Sequence, residues 1–268
     1  MPRRLQTKKT DKVLSAVRPN AGIEDAYRKK MQALIAEMDN SVRYWLRAAY
    51  RANEPVMAQD RTPADELRDA IRKLARRWQK NFDEAAPELA EFFAQSVASR
   101  SSGALTAILK KAGFTVKFKM TPAMRDIMAA TVSQQVSLIK SIPSRYFTNI
   151  EGLVMHSVQT GRDLALLTQD LQQQFGVTRR RAAFIARDQN NKATASMTRA
   201  RQDELGITQA IWVHSGGGKH PRPTHVAMDG KKYDVNKGMW DSAVQRWIFP
   251  GEEINCRCIS RPVIPGFS

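Results

Sequence analysis

The last quarter of the chain, residues 211 to 265, holds the side chains best suited to chemistry. Both cysteines, Cys256 and Cys258, lie there with one residue between them, together with His214, His220 and His225. Cysteine thiolates and neutral imidazoles are the usual ligands of zinc, and structural zinc sites use four of them. The two cysteines and two of the three histidines could therefore form a zinc site, which would stabilise a short segment rich in turns.

The spacing of these residues does not determine which of them would bind zinc. Cys-x-Cys is not the common Cys-x-x-Cys knuckle, and no interval singles out which histidines would take part. Asp229 is a further candidate, as an oxygen ligand. In the alternative interpretation the cysteines pack as small apolar groups, while His225 hydrogen-bonds the turn at Asp229 and Gly230.

The same residues could also support catalysis. A metal-dependent nuclease needs a base that activates water and a divalent ion at the phosphate, and His225 and Asp229 are the candidates for these roles. A cysteine nucleophile paired with a histidine is also compatible with the composition. The sequence lacks a beta-beta-alpha metal signature with its fixed intervals, and the glycines at 216–218 precede prolines rather than a helix. We therefore expect a protein that is not an enzyme.

Positive charge dominates the 268-residue chain, with 43 Lys and Arg against 26 Asp and Glu, a net charge of +17 and an isoelectric point near 10.2. Such a surplus favours polyanionic partners, nucleic acid first and acidic proteins or anionic membranes second. A solvated surface with no anionic partner is the alternative. The candidate phosphate-binding residues form two clusters on predicted helices: Arg68, Arg72, Lys73, Arg76, Arg77 and Lys80, and then Arg179, Arg180 and Arg181.

Several classes of protein are disfavoured. No apolar segment approaches the length of a membrane span, so no membrane partner is expected. The basic start at Met1 is not followed by the apolar stretch of a signal peptide. Two cysteines separated by one residue are poorly placed for a disulfide bond, which favours a reducing compartment.

Four regions are predicted along the chain. Residues 1–22 are basic with little apolar content, which predicts a flexible tail. Residues 23–120 form a basic helical region, residues 121–205 a second helical region, and residues 206–268 a small β subdomain that carries the histidines and cysteines. The expected fold class is mainly α with a small C-terminal antiparallel β subdomain (α+β).

Apolar residues at spacings of three and four predict the helices. Pro87, Pro143 and Gly176 are expected to separate successive helices, because proline lacks an amide hydrogen and glycine often ends a helix. Residues 113–119 alternate apolar and charged side chains, which predicts a strand or an extended linker. In the β subdomain, which is short of aliphatic residues, three tryptophans are expected to form the core: Trp212, Trp240 and Trp247.

The order of motifs over roughly residues 145 to 265 resembles the phage Mu F-like family of minor head proteins, also called the phage head morphogenesis domain. A helix carrying Ala-Arg-Asp precedes a strand, an Arg-x-x-His step and an Asp-Gly turn, and Asn-Cys-Arg-Cys then follows Pro-Gly. That last pair of motifs is the most specific part. The residues that carry the resemblance are Arg187, Trp212, Arg222, His225, Asp229, Gly230, Pro250, Gly251, Asn255, Cys256, Arg257 and Cys258.

The resemblance implies a minor head protein of a tailed phage. Such a protein would associate with portal and capsid or scaffolding proteins and contribute to procapsid assembly. It would be in the host cytoplasm during assembly and inside the head of the finished virion. The positive charge suits this setting and predicts non-specific contacts with double-stranded DNA. A DNA-processing enzyme that uses the His/Cys end, and a host-directed DNA-binding protein with sequence preference, are the alternatives.

Overall fold

The structure is a computed structural model that describes residues 10–52, 63–161, 163–217 and 220–267. These residues are mostly helical, with a small antiparallel sheet region at the C-terminus, so the predicted fold class is confirmed. The helices are α1 (Ala21–Ala52), α2 (Pro63–Lys111), α3 (Pro122–Gln159), α4 (Leu164–Glu204) and α5 (Pro223–Met228). The strands are β1 (Lys12–Val13), β2 (Gln209–Val213), β3 (Lys232–Asp234), β4 (Met239–Asp241), β5 (Arg246–Ile248) and β6 (Ile259–Ile264).

The described residues group into two compact units. Unit 1 draws on the segments Met1–Ile23, Ala94–Ala130 and Arg187–Ser268, and unit 2 on Glu24–Phe93 and Thr131–Ala186. Residues 94–120, which the sequence places with the N-terminal helices, and residues 121–130, from the second predicted helical region, thus belong to the unit that contains the β subdomain. The segment 113–119 is extended without being a strand, and its apolar side chains pack against buried Leu105 and Leu109 in unit 1.

Unit 2 is a helical unit with polar bridges in its interior. On α1, Met31 and Ile35 are fully buried there, whereas Leu34 is half-buried and Trp45 is 50% exposed. In the same unit, the Tyr146 hydroxyl donates to Asp39 Oδ1 at 2.8 Å, and Arg43 pairs with Asp39 Oδ2 at 2.7 Å. Burial is the main reason why the pKa values of Tyr146 and Asp39 are raised. These contacts fix which helix faces meet, because a buried carboxylate needs its partners.

The predicted helix breaks are wrong. Pro87 lies inside α2, Pro143 inside α3, and Gly176 inside α4. Next to Pro87, Ala86 and Ala90 are fully buried, so tertiary packing stabilises the helix on both sides of the proline. Local propensity is a weak prior that such packing overrides.

The predicted flexible tail is wrong for residues 10–22, while residues 1–9 lie outside the described part of the chain. Strand β1 pairs antiparallel with β6, with Lys12 opposite Ile264. The amide of Leu14 donates to the Pro262 carbonyl at 2.8 Å, and the side chains of Leu14 and Val17 are buried. Few apolar residues are present, but they meet an existing core, and the edge of the sheet provides the hydrogen bonds.

The main sheet of unit 1 has the strand order β1-β6-β2-β3, and β4 and β5 form a separate hairpin. Trp212 on β2 is fully buried, as predicted, but Trp240 and Trp247 are 51% and 44% exposed, so their assignment to the core is wrong. They lie directly opposite each other in the hairpin, and successive side chains of a strand point to opposite faces. The face that is buried instead presents Asp241 and Ile248.

Among the described residues, no helix is both long enough and apolar enough to cross a bilayer.

Candidate metal centre

Three ligand-type side chains meet in the interior of unit 1. One potential ligand atom from each of His225, Cys256 and Cys258 lies within 4.8 Å of the other two. The Nδ1 atom of His225 is 3.5 Å from Cys256 Sγ and 3.7 Å from Cys258 Sγ. All three side chains are at most 4% exposed, and both cysteines are free thiols. Two thiols thus face one ring nitrogen in a buried setting.

His225 is held in place from two sides. It lies on α5, and its ring packs edge-on against Trp212 with ring centroids 5.4 Å apart. Its Nε2 atom lies 3.3 Å from Oδ2 of Asp241, which is fully buried on β4. The Oδ1 atom of Asp241 accepts the Ala243 amide at 2.9 Å, which orients the carboxylate. The carboxylate beside Nε2 orients the ring so that Nδ1 is directed at the two thiols.

The loop that carries the cysteines is held against α4 by polar side chains of that helix. The backbone amide of Asn255 donates to Asp188 Oδ1 at 2.5 Å, and its side-chain carbonyl accepts from Arg187 Nη2 at 3.3 Å. Asn191 Nδ2 donates to the Cys256 carbonyl at 3.2 Å. Asn255 has a φ of 58°, a conformation that asparagine tolerates better than most residues. The Asn-Cys-Arg-Cys motif therefore has a defined support on the Ala-Arg-Asp helix.

The preceding Pro-Gly pair adds a close contact with the same helix. Pro250 and Gly251 are both buried, and Gly251 has a φ of 85°. A Cβ atom at Gly251 would lie 2.9 Å from Ala195 Cβ and 3.4 Å from the Cys258 carbonyl oxygen. Only glycine fits both the backbone angle and the space.

The two thiols differ in acidity. A hydrogen bond from Cys258 is the largest cause that lowers the pKa of Cys256, and His225 lowers it further, against the effect of burial. The same contact with Cys256, together with burial, raises the pKa of Cys258. The pair therefore favours one thiolate that shares a proton with its neighbour, and a cation would be needed to hold both sulfurs ionised.

A pocket of about 340 Å³ opens beside the cluster and is lined in part by Cys256 and Cys258. His214 and His220, the other two predicted ligands, also line this pocket, but neither belongs to the group of atoms within 4.8 Å. His214 Nδ1 accepts the Gly216 amide at 3.2 Å. Asp229, considered above as an oxygen ligand, instead accepts the His214 amide at 2.8 Å. Among the described residues, His225 is thus the one histidine that contacts the thiols.

The remaining motif residues join the loops around the cluster. Arg222 Nη2 donates to the Ile254 carbonyl at 2.9 Å, and Arg257 Nη1 donates to the Gly217 carbonyl at 3.0 Å. The Gly230 amide donates to the Trp212 carbonyl at 2.9 Å and closes the Asp-Gly turn onto β2. The residues that carry the sequence resemblance therefore converge on one cluster within unit 1.

Sequence reasoning missed Asp241 and Asn191, and it included Asp188 only as part of the Ala-Arg-Asp motif. Asp241 gave no signal, because it stands in a short hairpin between Trp240 and Ser242, outside any motif. Asp188 and Asn191 lie in a run of short polar residues on α4 whose side chains are at most 9% exposed. Asp and Asn are poor helix formers that compete for backbone hydrogen bonds, so their presence in the middle of a long helix was a usable sign of a buried polar role.

The candidate phosphate-binding residues lie elsewhere, in unit 2. On α2, Arg68 pairs with Asp65 and Glu151 and is half-buried, whereas five cations on the same helix are exposed: Arg72, Lys73, Arg76, Arg77 and Lys80. On α4, Arg180 is exposed and Arg179 lies 5.5 Å from the Phe175 ring. Arg181 donates to Ser141 Oγ at 2.9 Å, and burial lowers the pKa of its guanidinium.

Comparison with known proteins finds a similarity for the part of the chain that contains this site. Residues 148–261 match the family described as Phage Mu protein F like protein. An uncharacterized protein of Haemophilus influenzae is 33% identical over 147 residues, which cover 54% of this chain and 31% of that relative. The chain thus spans about a third of the length of the curated relative it matches, and no solved structure matches. The match covers residues 148–261, which include the buried cluster, and it shows that this part of the chain is similar to a Phage Mu protein F like domain.

Proposed function

We propose that this chain is a minor head protein of a tailed phage. It takes part in head assembly with portal and capsid or scaffolding proteins, remains inside the virion, and contacts packaged double-stranded DNA without sequence preference. The observation that carries the proposal is the similarity of residues 148–261 to a Phage Mu protein F like domain, together with the convergence of the motif residues on one site. In this function the domain acts as a folded docking unit and not as an enzyme.

The charge distribution supports the contact with DNA. Exposed cations at positions 72, 73, 76, 77 and 80 follow one face of α2, opposite the buried Ile71, Leu74 and Trp78. At a rise of about 1.5 Å per residue this stripe is about 12 Å long, which is enough to reach more than one phosphate. Within the described ranges no carboxylate lies at ion-pair distance from Lys73, Arg76 or Arg77. These three side chains can bind phosphate without breaking an ion pair.

The DNA contact is tested by the salt dependence of binding to duplexes of unrelated sequence. Each phosphate contact contributes about 0.9 to the slope of log affinity against log salt. Replacing Lys73, Arg76 and Arg77 by glutamine should lower the slope by up to about 2.7, equally for all sequences. The matched control replaces three cations of α1, Arg28, Lys29 and Lys30, two of which pair with Asp25. Equal slopes for the wild type and both triple variants would exclude this stripe as the phosphate contact.

The same incubation tests the nuclease alternative. The DNA should remain intact with zinc, magnesium or manganese present, at protein concentrations that saturate binding. Metal-dependent cleavage that is lost in His225→Ala would contradict the proposed function and support a DNA-processing enzyme.

Association with the head is tested by quantitative mass spectrometry of particles purified from the phage that encodes the chain. The protein should be present in a few copies per particle, both in DNA-filled heads and in DNA-free procapsids, because assembly precedes packaging in the proposed function. A chain that is absent from both kinds of particle would contradict a head protein and favour a host-directed role.

A further inference from the structure

We propose that unit 1 binds one zinc ion through His225 Nδ1, Cys256 Sγ and Cys258 Sγ, with the fourth coordination position open to the adjacent pocket and occupied by water. Asp241 acts as a positioning residue that holds the imidazole by its other nitrogen. The proposal goes beyond the proposed function, which assigns no role to a metal, and it stands on the geometry of the cluster alone.

The distances match a tetrahedral zinc site. Zinc–sulfur bonds are about 2.3 Å and zinc–nitrogen bonds about 2.0–2.1 Å, so at a tetrahedral angle the nitrogen and each sulfur are about 3.6 Å apart. The observed separations from His225 Nδ1 are 3.5 Å to Cys256 Sγ and 3.7 Å to Cys258 Sγ. The two sulfurs lie within 4.8 Å of each other, against about 3.8 Å for two sulfurs in a tetrahedral zinc site, so the three atoms converge on one region.

Hydrogen bonding to His225 accounts for only one of the two sulfurs. A neutral imidazole nitrogen has either one lone pair or one proton, so Nδ1 can make one good hydrogen bond to a thiol and not two. The structure nevertheless places both sulfurs at nearly equal distances from Nδ1, with all three residues buried. A shared cation is the simplest partner for one nitrogen and two sulfurs that converge in this way.

The surroundings of His225 support metal binding independently. Histidine ligands commonly direct their second nitrogen at a carboxylate, which fixes the ring and raises the basicity of the ligand. Asp241 Oδ2 is in this position at 3.3 Å from Nε2, and the carboxylate is fully buried. Neither of these two atoms has a hydrogen-bonding partner among the described residues, so their contact is at ion-pair distance and not a hydrogen bond. A cation on Nδ1 would polarise the ring and compensate the buried negative charge.

The ligand count indicates an open site. Closed structural zinc sites use four protein ligands, whereas sites that exchange a ligand use three and leave one position to water. Within the described residues the cluster has three members, and the cysteines also line the pocket that contains His214 and His220. The fourth position therefore faces space of about 340 Å³ and not another protein ligand.

The main alternative interpretation is that Cys256 is a thiol nucleophile. Cys256, His225 and Asp241 contact one another in the spatial order of a nucleophile, a base and an orienting carboxylate. The nearly equal approach of Cys258 to the same nitrogen disfavours this interpretation, because a nucleophile needs no second thiol at its base. The two interpretations differ in their reaction with iodoacetamide. A bound metal protects both thiols, whereas an activated nucleophile is alkylated quickly whether or not metal is present.

The test measures metal bound to the full-length chain. Wild type, purified without chelator and dialysed against metal-free buffer, should contain one zinc per chain. Cobalt loaded in its place should give the charge-transfer bands of a thiolate-bound, tetrahedral ion, and zinc should displace it. Cys258→Ser should lose the ion, Asp241→Asn should bind it about 10- to 100-fold more weakly, and the matched control His214→Ala should bind it as the wild type does.

Any variant that loses the ion is checked for folding by circular dichroism. If Cys258→Ser does not fold, the cobalt spectra of the wild type test whether the thiols bind the metal. A folded wild-type chain that takes up neither zinc nor cobalt would overturn the proposal, as would fast alkylation of Cys256 in the presence of metal. Loss of metal in His214→Ala would contradict the three-ligand site. None of these outcomes depends on whether the chain is found in phage heads, so the two proposals fail separately.

Discussion

Replacing Gly251 by alanine tests how closely the cysteine-bearing loop packs against α4. Gly251 has a φ of 85°, and a Cβ atom there would lie 2.9 Å from Ala195 Cβ. Gly230 is a matched control within the same unit, since its φ is 74° and a Cβ atom would meet nothing within 4 Å. The two glycines share the backbone conformation and differ in the space around them.

The cost of each substitution follows from these contacts. The left-handed conformation destabilises a residue that has a side chain by about 1–2 kcal/mol. Replacing glycine by alanine also reduces the conformational entropy of the unfolded chain, which offsets about 0.4–1 kcal/mol of this loss. Gly230→Ala should therefore lower the free energy of unfolding by about 1 kcal/mol. Gly251→Ala adds an overpacked contact of about 1–3 kcal/mol and should lower it by about 2–4 kcal/mol.

The assay is urea denaturation of the full-length chain, followed by fluorescence and by circular dichroism. Combining Gly251→Ala with Ala195→Gly removes the clashing methyl group, so the double variant should be about 1–3 kcal/mol more stable than the sum of the two single changes predicts. Equal costs at Gly251 and Gly230, or strict additivity with Ala195→Gly, would refute the packing of the loop on α4.

Three further predictions concern other parts of the chain. Tyr146→Phe should lower the free energy of unfolding by about 1–3 kcal/mol in urea denaturation, because Asp39 Oδ1 loses its donor in the interior of unit 2, whereas an unchanged midpoint would contradict the bond. Asp11→Asn should speed hydrogen exchange at the Leu14 amide, since Asp11 pairs with Lys232 at 2.5 Å and this contact lowers its pKa. The stability that this ion pair contributes should be present above pH 3.8, the ordinary pKa of an aspartate, and it should be lost as the pH falls through the lower pKa of Asp11 in the folded chain. Equal exchange rates in the wild type and in Asp11→Asn would exclude the pairing. Chelator should lower the free energy of unfolding of zinc-loaded protein by about 2.7 kcal/mol where free zinc was 100 times its dissociation constant, and an unchanged urea midpoint would show that the ion does not stabilise the fold.

The sequence identified the cysteine cluster because residue type is a strong signal there. Cys256, Cys258 and His225 are rare residue types in this chain, and they stand in an ordered series of turns that resembles one family. The choice among the histidines could not be predicted, because it depends on how α5 and the hairpin pack. Asp241 was hidden for the same reason, since its role comes from a strand of three residues and not from a motif.

Two errors in the fold have the same physical cause. Pro87 and residues 10–22 were judged from local propensity, and tertiary contacts decided both cases. Buried alanines flank Pro87 within α2, and the edge of β6 provides hydrogen bonds to a segment that has few apolar residues of its own. The exposure of Trp240 and Trp247 depends on the register of a short hairpin, which alternation along the sequence does not specify.

The most direct test of the head-protein function is a nonsense codon early in this gene, in the phage that encodes it. Lysates are examined by electron microscopy and infectivity, with the wild-type gene supplied in trans as the control. The proposed function predicts malformed heads, or normal-looking particles that fail to infect, and rescue by the supplied gene. Fully infectious particles that lack the protein would contradict a function as an essential assembly factor.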